Sequence, residues 1–351
     1  MNLRFAAVLL GSAMSFAVPA AAEDWFPVQV TRTTDGGSEP AEFTPVAKAG
    51  EPWDICASLP HVKDAYWVAV NYGLVEEARR LGVRLTVYEA GGYTNLNKQI
   101  SQIEDCVTAG ADAVLIGAIS GAGLNNLIAD ISSQGVKVID FMNGVSSDKV
   151  DGRSLVSFDQ MGHFAGKYLA DKHPAGGEGV KVAWFPGPAG ASWVESGNTG
   201  FRAAIEGSGI ELLDTRYGDT GKEVQLKLVE DALQTYPDLD YIVGTAPTAE
   251  AAVQALQARG LQDRVKIISY YSTPEVLSLL GSGAIEAAPT DKPVIQARIA
   301  LDLAVAALQG DGEAQHLGPV PEVITAETVA GFDASSTVAP GGFSPVFSVE
   351  P

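Results

Sequence analysis

Tyr66 and Trp67 stand side by side in PHVKDAYWVAVNYG, after a charged turn and at the start of a helical pattern. Two large rings at a loop-to-helix junction are poorly placed to fill a core. Tyr93, Phe158, Trp193, Tyr270 and Tyr271 fall in comparable positions, in or beside loops that follow strand-like runs. Aromatic faces attract a methylated, positively polarised head by cation–π contact. They also stack on the flat face of a sugar. Phenol O–H and indole N–H groups donate to an oxygen. Any single ring reads as well as a hydrophobic plug, but rings arriving from separate loops are harder to explain as packing and fit the lining of one cleft.

Carboxylates accompany these rings. Asp64 precedes Tyr66, Asp159 follows Phe158, and Asp291 lies in PTDKP. A pair such as Asp64 and Asp291 is the minimum for glycoside hydrolysis. Orienting hydroxyls or countering a cation is the plainer use of both. His61, His163, His173 and His316 are scattered without metal-ligand spacing. There is no G-x-S-x-G elbow and no P-loop lysine motif. GAGLNN imitates a dinucleotide fingerprint but lacks its third glycine. No catalytic residue, metal site or cofactor is therefore expected.

Regular elements position these loops. From Trp53, Val- and Ile-rich runs (ICASL, VRLTVYEA, ADAVLIGA, VKVIDFMN) alternate with helical patterns over Tyr66–Leu81, Leu96–Ala109 and Leu124–Ser133. The rhythm restarts at SLVSF and runs through GVKVAWFPG, IELLDTRYG, LDYIVGTA, VKIISYY and AIEAAPTD. Such alternation predicts βαβ units and parallel sheets covered on both faces. Two α/β lobes are expected, with a helix over Val294–Leu308 and a strand in PVPEVITA passing back between them. The expected division is residues 51–155 plus 291–318 for the first lobe and 156–290 plus 319–351 for the second. Residues 23–50 show no clear period and read as an irregular arm. Ligands of open α/β sheets sit beyond the carboxyl ends of the strands, which here would face a cleft between lobes.

Residues 1–22 carry one cation, Arg4, then an apolar run and Ala20-Ala21-Ala22, the pattern of a cleaved secretory signal. No later run is long and apolar enough to span a bilayer. The net charge of −20 becomes −21 without Arg4, since the leader holds no acid. A chain this acidic does not grip nucleic acid or an anionic membrane surface. Export to an oxidising compartment argues that Cys56 and Cys106 pair, tying a helix to a strand of the first lobe; two separate buried thiols are the alternative.

CASLPHVKDAYWVAVNYGLVEEARRLGVRLTVYEAGGYTNLNKQISQIEDCVTAGADAVLIG resembles the periplasmic TorT proteins of the type I periplasmic binding protein superfamily. The likeness continues through DQMGHFAGKYLAD, YPDLDYIVGTAPTAEAA and APGGFSPVF. KDAYW, EAGGY and PGGFSPVF are its most specific segments. The resemblance implies a periplasmic, two-lobe binding protein whose cleft takes trimethylamine N-oxide (TMAO). It also implies a partner, the periplasmic sensor domain of a TorS-like membrane histidine kinase, and control of TMAO respiration genes. Carried over by position, the ligand residues are Asp64, Tyr66, Trp67, Tyr93 and Tyr271. Where the family has a tryptophan before QMG, this chain has Phe158 followed by Asp159, which keeps an aromatic face, removes an indole N–H and adds a carboxylate. Asp159 and Asp291 are secondary candidates.

Three functions follow from these readings. The first is a sensory binding protein for TMAO or a similar small methylated amine. The second is the solute-binding subunit of an ABC importer for a sugar or other small polar solute. The third, an exported hydrolase using Asp64 and Asp291, has least in its favour.

Overall fold

The computed structural model describes residues 25–311 and 314–351, so the expected leader at 1–22 lies outside the described residues. The first described segment corrects one expectation. Residues 28–43 form a hairpin, β1 (Val28–Thr34) and β2 (Gly37–Phe43), rather than an irregular arm. Only its open end is apolar, where Val28, Val30, Ala41 and Phe43 share one face and pack on the core, so the alternation is too short to mark two strands. The turn relies on Gly37 at φ 120°, a conformation that favours glycine.

The first lobe then follows the expected alternation. It runs through β3 (Asp54–Leu59), α1 (Ala65–Leu81), β4 (Arg84–Glu89), α2 (Leu96–Thr108), β5 (Ala113–Ile116), α3 (Asn125–Ser133), β6 (Lys137–Phe141) and β7 (Gly152–Ser154). The second contains α4 (Phe158–Lys172), β8 (Val180–Gly187), α5 (Ser192–Ile205), β9 (Ile210–Tyr217), α6 (Lys222–Thr235), β10 (Tyr241–Gly244), α7 (Ala246–Arg259), β11 (Lys266–Ser269), α8 (Pro274–Gly281) and β12 (Ala287–Thr290). α9 (Pro293–Gln309) returns under the first sheet, followed by β13 (His316–Pro319), β14 (Glu322–Thr325) and β15 (Ser348–Val349).

Among the described residues two sheets result, ordered β15-β4-β3-β5-β6-β7-β13-β1-β2 and β14-β12-β11-β10-β8-β9. Their central pairs are parallel and their outer additions antiparallel. PVPEVITA holds one strand as expected, β14 in the second sheet, while its first residue, Pro319, ends β13 in the first. The tail departs from its expected lobe. β15 pairs antiparallel with β4 of the first sheet, and both ends of the Asn71 amide hold the Val346 backbone at 2.8 Å. Without it β4 would be an exposed edge.

Continuous apolar strands such as AVLI in β5, wholly buried, account for the core. α1 starts at Asp64, whose carboxylate accepts from the Trp67 backbone N–H at 3.1 Å, and ends at Gly82 in the left-handed region, φ 74°. α4 and α5 touch backbone to backbone. A Cβ on Gly162 would lie 2.0 Å from the Gly197 carbonyl oxygen, so these positions exclude any side chain. Cys56 on β3 and Cys106 on α2 are joined by a disulfide, as their expected export implied. No helix of the described residues is long and apolar enough to cross a membrane.

Candidate functional site

The chain passes between the sheets at residues 155–157, 291–292 and 320–321, and the strand ends of both lobes meet there. Among the described residues a small cavity lies at this junction. From the first lobe Asp64, Tyr66 and Trp67 line it at the start of α1, Tyr93 after β4 and Asn143 after β6. From the second come Phe158 at the start of α4, Trp193 at the start of α5, Thr220 after β9 and Tyr271 after β11. The space open to the centre of a water-sized sphere is about 20 Å³, enough for one or two waters or a ligand of a few heavy atoms.

The walls are rings set edge to face. Tyr66 meets Tyr271 at 5.1 Å between centroids and Trp67 at 5.8 Å. Trp193 meets Phe158 at 5.8 Å and Tyr93 at 6.1 Å, and stacks nearly parallel on Tyr270 at 6.0 Å. Trp67 is 2% exposed and presses against Gly117, where a Cβ would come within 2.8 Å of the ring. It is thus a cage wall and a core residue together.

Polar groups of the cage are mostly committed to the protein. The Tyr66 hydroxyl donates to Asp291 Oδ2 at 2.5 Å. Asn143 Nδ2 donates to the Tyr93 hydroxyl oxygen at 2.9 Å and to the Ala118 carbonyl at 2.8 Å. Tyr93 receives that bond, so its own proton is left to donate. Burial raises the pKa of Tyr66, Tyr93 and Tyr271, keeping all three as neutral phenols. Burial also raises Asp64, against the opposing pull of His61 and the Trp67 N–H. The Trp193 indole nitrogen is buried and has no hydrogen-bond partner among the described residues.

Of the sequence candidates, Asp64, Tyr66, Trp67, Tyr93, Phe158 and Tyr271 line this one cavity. Asp159 does not. It is exposed on the first turn of α4. Asp291 sits behind Tyr66, where Gln296 Nε2 also donates to it at 2.8 Å, and burial lifts its pKa to about 6. Asp64 caps a helix and Asp291 holds a phenol, so neither is disposed as a hydrolytic acid or base. Among the described residues no cluster of histidine, cysteine and carboxylate side chains suits a metal.

Four further residues were not marked as ligand groups by the sequence. Trp193 belongs to the ring of aromatics but sits outside the positions carried over from the family. Asn143 and Thr220 follow strand ends, the one rule that would have found them. His61, set aside for lack of metal spacing, is wholly buried and packs edge-on to Trp67 and Tyr93.

The match to known proteins agrees with this architecture. The family described as periplasmic binding protein domain matches residues 55–312. The periplasmic protein TorT of Escherichia coli K12 is 36% identical over 300 residues, covering 86% of each chain. A solved ABC transporter solute binding protein from Bradyrhizobium sp. BTAi1, with bound bis-tris, is 50% identical with a TM-score of 0.80, covering 93% of this chain and 100% of that one. The complex of the TorS sensor domain with TorT in the presence of TMAO matches at 32% identity and a TM-score of 0.76, covering 84% of this chain and 99% of that one. By domain match, by identity along most of its length and by fold, this chain belongs to the TorT family of type I periplasmic binding proteins.

Proposed function

We propose that this protein is a periplasmic receptor for TMAO, or a methylated amine oxide of the same size, and that it reports occupancy to the sensor domain of a TorS-like histidine kinase. One observation carries the reading: a small cavity of aromatic faces, sized for a few heavy atoms, into which the Trp193 N–H and the Tyr93 O–H are left to donate among the described residues, with the Asp64 carboxylate beside the rings. TMAO presents three methyl groups of positive potential and one oxygen that only accepts. Each well-placed ring face contributes roughly 0.5–2 kcal/mol with such a head. A pentose or hexose would need more acceptors and more room than this closed cage offers.

In this reading the ligand does not react. It stabilises the closed arrangement of the lobes, because its walls come from both, and the kinase reads that arrangement. The relatives support a binding role: one is a TorT crystallised with a kinase sensor domain, another a solute binding protein holding bis-tris, itself a tertiary amine. That second relative favours an alternative, an importer subunit for a larger hydroxylated amine reached by opening the cleft. Co-purification of the mature protein with the sensor domain of its kinase, with and without TMAO, tests the first reading. A complex whose stability responds to TMAO is expected. Absence of any complex, together with binding of bis-tris and sugars, would move the protein to the importer class.

A further inference from the structure

Position 158 lacks the indole that the family carries, yet an indole stands beside it. Trp193, on the first turn of α5, packs 5.8 Å from Phe158 and lines the same cavity. It is 4% exposed, and its Nε1 is buried without a hydrogen-bond partner among the described residues. An unpartnered buried donor is costly and uncommon, and calls for an explanation. The neighbouring polar groups do not supply one. The Tyr66 hydroxyl is directed at Asp291, the Asn143 amide at Tyr93 and Ala118, and Thr220 at His61.

The ring is also fixed in place. It stacks on Tyr270 at 6.0 Å with planes 18° apart, and the Tyr270 hydroxyl donates to the Trp193 carbonyl at 3.3 Å. Its far edge lies over Gly187, where a Cβ would approach Cη2 to 2.5 Å. The ring lies 6.1 Å from that of Tyr93, and both line the cavity. Two donors, the Trp193 N–H and the Tyr93 O–H, are thus held on the same side of the cavity.

We propose that the Trp193 indole N–H is the specificity determinant that recognises the oxygen of an amine oxide, taking over from α5 the donor missing at position 158. This rests on the amine-oxide reading of the site. Oxygen bound there satisfies Nε1 and accepts from Tyr93, while the methyl groups turn toward the ring faces. A ligand of equal shape with a methyl in place of oxygen leaves Nε1 unpartnered.

The test compares TMAO with tetramethylammonium, its near-isostere without the oxygen, by calorimetry on the native protein and on Trp193→Phe. Phenylalanine keeps an aromatic wall and removes the N–H. The preference for TMAO over tetramethylammonium is expected to shrink roughly ten-fold, through weaker TMAO binding. Equal weakening of both probes would make Trp193 a wall only, overturning the proposal and leaving the receptor reading intact. Native protein that binds neither probe would overturn both. Should Trp193→Phe fail to fold, the native protein labelled with ¹⁵N at its indoles serves instead. The Trp193 N–H resonance, assigned through its contacts with Tyr270, is expected to shift with TMAO and to stay with tetramethylammonium. No shift with bound TMAO would overturn the assignment.

Discussion

His61 Nε2 donates across the cleft to Thr220 Oγ1 at 3.0 Å, joining the loop after β3 to the loop after β9. The tautomer follows from the other nitrogen, which accepts from the Lys63 backbone N–H at 3.3 Å. The same imidazole packs edge-on to Trp67 and Tyr93. One buried ring therefore braces two cage walls and ties the lobes together.

This makes closure sensitive to pH. Burial pushes the His61 pKa below its ordinary value, with Lys63 adding to the effect and Asp64, Asp219 and Glu89 opposing it. In an open cleft the imidazole would titrate near about 6.5. The closed form favours the neutral ring, so its contribution to closure is complete above that pH and is lost as pH falls toward the lowered pKa. Asp64, raised by burial, acts in the opposite sense at more acidic pH, where taking up a proton favours closure. TMAO affinity is expected to fall several-fold between about pH 8 and about pH 5.5, and His61→Gln should flatten that profile. An equally steep profile in the variant would contradict the role given to His61.

Gly117 offers a way to disturb the cage from behind. An added methyl would meet the Trp67 ring at 2.8 Å and push it into a cavity with almost no spare volume. Gly117→Ala should weaken ligand binding about ten-fold or more while the protein stays folded. Unchanged affinity with an intact far-ultraviolet spectrum would show that Trp67 is free to yield. Trp67→Ala is the blunter variant. It removes a core residue as well as a wall and should destabilise the fold by about 3–5 kcal/mol.

Phe158→Trp installs the indole that the family resemblance leads one to expect but adds volume beside Trp193 and Tyr270. The cavity has about 20 Å³ to receive it. Weaker TMAO binding is expected, because crowding outweighs a second indole donor where Trp193 already supplies one. Tighter binding by calorimetry would show that the cage opens to accommodate both indoles.

The Cys56–Cys106 bridge closes a loop of 50 residues within the first lobe. Chain-entropy arguments put its contribution near about 4 kcal/mol. Thiol titration of the unfolded, unreduced protein should find no free sulfhydryl, and replacing both cysteines with alanine should lower the melting temperature of that lobe. Two reactive thiols in the native chain would exclude the bridge.

Much of this was readable in the sequence because burial leaves a strong signature. AVLI and KVIDF are apolar runs that only a sheet covered on both faces would use. Tyr66, Trp67, Tyr93, Phe158 and Tyr271 could be placed because they follow strand ends and because a family resemblance singled them out. What escaped notice depends on partners far along the chain. The hairpin at 28–43 is apolar only at its open end, and β15 is two residues long and defined by β4. Asn143, His61 and Thr220 are ordinary polar residues until β4 brings Tyr93 beside the first and lobe closure joins the other two.

Calorimetric titration of the mature protein with TMAO, trimethylamine and ribose shows whether the cage selects a small amine oxide. Saturable binding of TMAO is expected with one molecule per chain, with much weaker binding of protonated trimethylamine, which has no oxygen to accept from Trp193 and Tyr93, and none of ribose. Ribose binding in preference to TMAO, or no TMAO binding with or without the kinase sensor domain, would contradict it.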